Sequence, residues 1–165
     1  MNPWRIHPGV NFGTIPRGLT HGDFAMNLGS ELRSFIRPRR LGRVAGSDLG
    51  VLIEHDPNTI WEPDVAFISM QKLPLDFQLP GYWEGVPDNA AEIVSPGDSP
   101  QEVIDRARMW IRSWMPRFWT TDFETRTTES DCPNQPLLKL SGNDMLDGGQ
   151  VPPSFSCPAR DLFDL

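Results

Sequence analysis

Two carboxylates stand where predicted strands would hold them rigidly. Asp64 follows Pro63 at the start of one predicted strand, and Glu92 lies inside another, between Ala90 and Val94. If these strands pair, both carboxylates can point to one end of the sheet, as a hard divalent cation requires. A strand-entry turn would also explain Asp64. Glu92 is harder to explain structurally, because a glutamate among apolar residues is costly to bury unless it is paired or metal-bound.

Arg106 is the third residue that could take part in such a site. It lies on the second predicted helix, three residues after Val103 and four before Trp110, beside an apolar stripe. Its guanidinium could face the carboxylates of the sheet. Alternatively, its aliphatic stem covers core surface while the charged end reaches water.

The helices and strands that would position these residues are predicted to begin with a helix over 21–36. Apolar residues recur there at helical spacing, Thr20 and Asp23 form a variant of the capping box, and Pro38 is expected to end the helix. The segment 55–59 (HDPNT) has the composition of a hairpin turn, and the first three strands are expected to form a meander. The predicted strands are 43–45, 49–53, 65–69, 89–94, 117–121 and 126–128.

The second helix carries clear signals at both ends. Ser99 is its predicted N-cap, Pro100 occupies the first position, Glu102 completes a capping box, and Pro116 is expected to end it. Because it lies between two predicted strands, it can form one parallel, right-handed crossover. Its predicted apolar stripe comprises Val103, Ala107, Trp110, Ile111 and Trp114.

The order of these elements predicts an α/β (α+β) fold, in which a mixed β-sheet is flanked by helices. A length of 165 residues fits a single domain, 1–165. We expect residues 1–19 to form an extended lead-in and 71–88 a long surface loop. The segment 131–165 is expected to be turn-rich, with a short helix at 159–163.

Charge is unevenly distributed along the chain. The net charge of −7 argues against a protein that coats nucleic acid by charge alone. Seven arginines against two acids give residues 1–47 a charge of +5, whereas one lysine against ten acids gives residues 48–100 a charge of −9. A local basic patch could bind phosphates, or could be a solvated helix end whose cations suit the helix dipole. The patch comprises Arg33, Arg37, Arg39, Arg40 and Arg43.

Other features restrict the class of protein. No segment has the length and hydrophobicity of a membrane span, and the N-terminal sequence lacks the apolar core of a signal peptide, so a soluble, cytoplasmic protein is expected. Cys132 and Cys157 match no CxxC pattern, which favours two reduced thiols over a metal or redox site.

A series of segments along nearly the whole chain resembles the Uma-type (Uma-two) putative restriction endonuclease family of the PD-(D/E)xK nuclease superfamily. The order and spacing of the segments carry the resemblance, since no single motif would suffice. The segments are His21-Gly22 opening a helix, GSDLGV at 46–51, PDVAFIS at 63–69, PDNAAEIVSPGDS at 87–99, EVIDRARMW at 102–110, FWTTDFETRT at 118–127 and DMLDGGQVPPSF at 144–155.

The resemblance implies a metal-dependent endonuclease that hydrolyses the phosphodiester bonds of DNA. The aspartate of the family's PD motif and the glutamate of its EVxSP-like motif correspond to Asp64 and Glu92, which would bind Mg²⁺ or Mn²⁺. The metal would position and acidify the attacking water. The family's lysine, on the helix after the glutamate strand, corresponds to Arg106. A homodimer would supply two sites for cutting a duplex.

The resemblance also adds candidates around this core. His21 would open the first helix near the active-site end, although a histidine at a helix start is often structural. Glu31 and Asp48 would be extra acids, and Asp48 is preferred because it lies at a strand end. A Ser47-Asp48 turn would equally account for it.

The sequence departs from the family pattern at two places, and the arginine at position 106 is the departure that separates the functional hypotheses. Arginine stays protonated and cannot act as a base, although it can stabilise negative charge. In addition, Trp119-Thr120-Thr121 stands where the family usually has an apolar run. The chain is therefore either a working nuclease with Arg106 in the lysine's place, or a catalytically impaired relative that binds DNA or protein.

Overall fold

The computed structural model describes residues 18–55 and 58–164. Its elements are α1 (Gly18–Arg39), β1 (Gly42–Gly46), β2 (Val51–His55), β3 (Asn58–Trp61), β4 (Val65–Ser69), β5 (Asn89–Ile93), α2 (Pro100–Arg112), β6 (Phe118–Asp122), β7 (Thr127–Asp131), β8 (Leu138–Ser141), β9 (Met145–Asp147), β10 (Ser156–Pro158) and a 3₁₀ helix (Ala159–Phe163).

One six-stranded sheet organises the fold, with the strand order β1-β4-β5-β6-β7-β8. Only β5 and β6 run parallel, and α2 connects them, while the other neighbours in this sheet are antiparallel. The predicted mixed sheet flanked by helices is confirmed. No helix in the described part of the chain is long and apolar enough to cross a membrane.

Helix α1 covers one face of the sheet because its apolar residues recur every fourth position. Its stripe of Phe24, Leu28, Leu32 and Ile36 is buried. Alternation along β4 and β5 sends every second side chain into this core. Its other members include Val65, Phe67, Ala91, Ile93, Trp119 and Phe163.

Helix α2 covers the other face and begins as predicted. The Ser99 side chain accepts a hydrogen bond from the Glu102 backbone, and the Glu102 carboxylate accepts one from the Ser99 backbone. Trp110 is fully buried against this face. Trp114, however, is wrongly predicted to belong to the buried stripe. The helix ends at Arg112, and Trp114 is 89% exposed with φ 68°, while Met115 is buried in its place.

The predicted meander is wrong in its pairing. Strand β1 pairs with β4 rather than β2, and β2 forms a separate hairpin with β3, a strand that the sequence did not predict. The turn composition correctly marks a hairpin, but the return strand begins at once, at Asn58. The predicted strands at 65–69 and 89–94 match β4 and β5.

The C-terminal segment contains more regular structure than predicted. Strands β8, β9 and β10 lie in the region expected to be turns, and are only three or four residues long. Most of their side chains are exposed, and runs of three or four residues are too short for an alternating pattern to be distinctive. The short helix predicted at 159–163 is present as a 3₁₀ helix over the same residues.

Helix α1 is longer at both ends than the predicted 21–36. It begins at Gly18, so two residues of the predicted lead-in are helical, while 1–17 lie outside the described residues. Pro38 lies inside the last turn. The helix ends in a Schellman motif, in which Arg40 has φ 53° and the amides of Arg40 and Leu41 donate to the carbonyls of Arg37 and Ile36.

The threonine of β6 that faces α1 has a hydrogen-bond partner for its hydroxyl group. Thr121 Oγ1 lies 3.2 Å from Thr128 Oγ1 of β7, and both residues are fully buried. Thr120 points to the other face and lies beside Glu92 in the β5–β6 register. The polar residues of this strand therefore belong to a hydrogen-bonded pair and to the surroundings of Glu92.

Candidate functional site

The pairing of β4 with β5 brings the two predicted carboxylates together. Val65 is opposite Ala91, so Asp64 and Glu92 occupy the next position in the same antiparallel register. Both side chains are buried, with 4% of each residue exposed. Burying two carboxylates at one end of a sheet is costly unless a cation or hydrogen bonds compensate.

Asp64 is held by a small polar network that joins three elements. Its Oδ2 accepts a hydrogen bond of 2.8 Å from the backbone amide of Ile93, so the carboxylate extends the β4–β5 ladder. The same Oδ2 lies 3.2 Å from His21 Nε2. His21 Nε2 is also 3.1 Å from the carbonyl oxygen of Ile93. The first turn of α1 is thereby connected to the ends of both strands.

Glu92 points to the face covered by α2, as its alternation with Ile93 requires. Arg106 comes from that helix, and the charge of Glu92 acts on it. Burial lowers the pKa of Arg106, but the hydrogen bonds and charge of Asp98, with the charges of Glu92 and Glu102, raise the pKa overall. The guanidinium is therefore a permanent positive charge at the end of the sheet where Asp64 and Glu92 lie.

Arg106 is fixed by a bidentate ion pair with Asp98. Its Nη2 lies 2.6 Å from Asp98 Oδ2 and its Nη1 lies 3.2 Å from Asp98 Oδ1, with side-chain exposures of 18% and 20%. Asp98 is itself anchored by the backbone amide of Ser95, at 2.9 Å. The Nε of Arg106 is buried and has no hydrogen-bond partner in the described part of the chain. The ion pair with Asp98 thus leaves part of the hydrogen-bonding capacity of the guanidinium unused.

Sequence reasoning did not single out Asp98. It lies in the turn Ser95–Asp98 after β5, where serine, proline, glycine and aspartate are all explained by turn formation. A signal was nevertheless present, since an arginine beside an apolar helical stripe needs an acidic partner if it is buried.

The remaining candidates lie apart from this network. Asp48 is exposed in the turn after β1, which is the structural alternative foreseen for it. Glu31 lies on α1 near Cys157. Burial raises the pKa of the Cys157 thiol to about 12, and the charges of Glu31 and Asp161 contribute.

A cavity of about 360 Å³ opens beside the site at the carboxyl ends of β5 and β6. Thr120 and Asp98 line it, so it adjoins both Glu92 and the Arg106 ion pair. Most of its charged groups are acidic, and its positive side chain, Lys139, is 3.4 Å from Glu129. Its ionisable lining residues are Asp98, Asp122, Glu124, Glu129 and Lys139. This composition favours a cation.

The basic patch lies at the other end of α1. His21 and Arg39 are separated by 18 residues of helix, which is about 27 Å along the axis. Arg39 donates to the carbonyl of Phe35 and stacks on its ring at 4.1 Å, while Arg37 and Arg39 occupy the last turn. Patch and carboxylates therefore cannot contact the same phosphate, and stabilisation of the helix end is one role of these cations.

The donor set suits a hard divalent cation that keeps part of its water shell. Within residues 18–55 and 58–164, no group of three or more His, Cys, Asp or Glu side chains is arranged to hold a metal ion. Mg²⁺ is commonly bound by one or two carboxylates together with water and substrate phosphates. The buried oxygens of Asp64 and Glu92 fit that requirement.

Comparisons with known proteins identify a family and a similar fold. A family model, Uma2, described as "Putative restriction endonuclease", matches residues 4–160. Among solved structures, the chain is similar to a putative nuclease belonging to DUF820 from Anabaena variabilis ATCC 29413. The TM-score is 0.78 at 17% identity, over 88% of this chain and 81% of that one, a likeness in fold. No curated protein matches the chain.

Proposed function

The chain belongs to the Uma2 putative restriction endonuclease family, and we propose that it hydrolyses phosphodiester bonds of DNA with the help of a divalent metal ion. The observation that carries the proposal is the pair of buried carboxylates, Asp64 and Glu92, in register on adjacent strands. Each buried carboxylate carries a desolvation cost, which a bound cation would offset together with the partners that each carboxylate has in the chain.

Asp64 and Glu92 would hold Mg²⁺ or Mn²⁺. When bound, such an ion lowers the pKa of a coordinated water and stabilises charge on the phosphate. The chain's own contribution is to orient the carboxylates. The backbone amide of Ile93 does this for Asp64 through a hydrogen bond of 2.8 Å to Oδ2.

Arg106 supplies the positive charge that the family places on a lysine. It remains protonated, so its role is to bind and stabilise a phosphate oxygen rather than to remove a proton. Asp98 holds the guanidinium through its two terminal nitrogens, so the positive charge is positioned before substrate arrives.

DNA as the substrate is supported by the family and by the position of Arg106. The net charge of −7 and the distance of the basic patch mean that phosphate contacts depend on a few local groups. Binding should therefore be modest in affinity and depend only weakly on salt, because the salt dependence scales with the number of phosphates neutralised. A homodimer would present two such sites to the two strands of a duplex.

A second candidate function is favoured by the same ion pair. Because both terminal nitrogens of Arg106 are engaged by Asp98, the guanidinium cannot follow a phosphate as a lysine can. A nuclease fold with this restriction would still bind DNA or a protein, but would cut slowly or not at all.

Cleavage of supercoiled plasmid in Mg²⁺ or Mn²⁺ tests the proposal and separates the two candidates. We expect nicking by the native chain, its loss in Glu92→Gln, and its retention in Glu31→Gln, a matched change on α1 outside the site. Cleavage by Arg106→Lys alone would establish the impaired relative. Metal-independent nicking, or nicking that persists in Glu92→Gln, would overturn the assignment of the site.

A further inference from the structure

We propose that His21 is a positioning residue that orients the Asp64 carboxylate for the metal ion, an inference that rests on the proposed function. The imidazole and the carboxylate are both buried, with side-chain exposures of 7% and 2%. His21 Nε2 is 3.2 Å from Asp64 Oδ2 and 3.1 Å from the carbonyl oxygen of Ile93. Three elements distant in sequence therefore meet at one imidazole nitrogen.

The surroundings of Nε2 define its role as a donor. A backbone carbonyl oxygen can only accept a hydrogen bond, and Asp64 Oδ2 already accepts one from the Ile93 amide. With two acceptors facing it, Nε2 must carry the hydrogen. A nitrogen that carries a hydrogen has no lone pair for a metal, so in this arrangement the Nε2 of His21 acts on the cation only through Asp64.

Two donors on one oxygen fix the direction of the whole carboxylate. The Ile93 amide approaches Asp64 Oδ2 from β5, and the His21 imidazole approaches it from α1. Rotation of the carboxyl group would break both contacts. The link from His21 to the Ile93 carbonyl further holds the residue that follows Glu92. A single side chain thus sets the relative placement of both proposed ligands, as groups bonded to metal ligands commonly do.

Binding of Mn²⁺ to the full-length chain, measured by calorimetry and by the electron spin resonance of the ion, tests this inference without relying on cleavage. His21→Leu should weaken Mn²⁺ binding by about 10- to 100-fold. His21→Gln, whose amide nitrogen can reach the place of Nε2, should recover most of the affinity, whereas the shorter His21→Asn should not. Thermal melting without metal shows whether each variant is folded.

Asn27→Leu is the matched control on the same helix. Asn27 Nδ2 also donates to distant backbone carbonyls, those of Leu162 and Asp164, at 3.1 and 2.6 Å. Its loss should loosen α1 without changing Mn²⁺ affinity by more than about twofold. If His21→Leu fails to fold, the contrast between His21→Gln and His21→Asn decides the matter.

The outcomes distinguish the inference from the function on which it rests. Mn²⁺ binding by the native chain that is unchanged in His21→Leu, or equal in His21→Gln and His21→Asn, would overturn the positioning role alone. A native chain that binds no Mn²⁺ would overturn both that role and the proposed metal-dependent function.

Discussion

Replacing Asp98 by alanine should destabilise the protein far more than removing an ordinary surface ion pair. Asp98 and Arg106 form two charged hydrogen bonds, at 2.6 and 3.2 Å, and about four-fifths of each side chain is buried. The substitution leaves the guanidinium half-enclosed by α2 and the sheet. It also removes the acceptor of the Ser95 amide, at 2.9 Å.

The size of the effect follows from the burial of the pair. Exposed ion pairs contribute about 0–1 kcal/mol, and breaking a fully buried pair costs about 3–5 kcal/mol. A pair that is largely but not wholly buried should fall between these limits, at about 2 kcal/mol. For a domain of this length, that corresponds to a fall in Tm of about 4–8 °C. Arg106 retains Glu92 as a neighbouring negative charge, which limits the loss.

Urea unfolding monitored by tryptophan fluorescence, together with thermal melting, measures this loss. Asp105→Ala is the matched control on α2, because Asp105 and Arg108 are 3.8 Å apart and about 60% exposed. That control should change stability by less than about 0.5 kcal/mol. In the double-mutant cycle with Arg106→Met, the two changes should cost at least about 1 kcal/mol less than their sum.

An Asp98→Ala variant as stable as Asp105→Ala would refute this reasoning. It would mean that the guanidinium is well solvated in solution, or that Glu92 replaces Asp98 at no cost. The same result would remove the reason for regarding Arg106 as preorganised in the proposed site.

Two further predictions concern the region after α2 and the α1 core. Trp114→Gly should raise the stability by about 0.5 kcal/mol in thermal melting, because Trp114 has φ 68° and is 89% exposed; a lower Tm would show that its indole packs usefully. Ellman's reagent at pH 8 should label Cys157 only after unfolding, because burial, with Glu31 and Asp161, raises its thiol pKa to about 12. Since the raised pKa exceeds the ordinary value of 9.0, this thiol's contribution to stability is complete below pH 9 and declines between pH 9 and about 12. Rapid labelling of the native chain would contradict the burial of Cys157.

Local signals account for the parts of the fold that the sequence predicts well. The start of α2 depends on Ser99, Pro100 and Glu102, which lie within four residues of one another and satisfy its first amides themselves. The strands β4 and β5 are buried on both faces because helices cover both sides of the sheet. The amino-acid composition and hydrophobic periodicity of such elements are enough to predict them.

Pairing over long distances is what the sequence did not predict. The partner of β1 is β4, and the hairpin of β2 and β3 intervenes between them without joining the sheet. No local pattern distinguishes this arrangement from a simple meander. The short strands after β7 were not predicted for another reason, since each has only three or four residues and most of their side chains are exposed.

The candidate site likewise has residues that local sequence patterns predict and residues that only the folded structure brings to it. Asp64 and Glu92 could be paired from sequence because each belongs to a recognisable strand whose end is near a turn. Asp98 could not, because a turn already explains it, and its contact with Arg106 depends on how α2 leaves the sheet. The distance of the basic patch likewise became evident only from the length and direction of α1.

The network around Asp64 also constrains when the site can exist. His21 and Ile93 are 72 residues apart, and Asp64 and Ile93 are 29 apart. A ribosome adds about 5–20 residues per second, so about 4–14 s separate the synthesis of the first and last members. Contacts of such sequence separation form only after the intervening loops have closed. A nascent chain that ends before β5 therefore contains His21 and Asp64 but lacks Ile93, so the hydrogen-bond network of the proposed site cannot yet form.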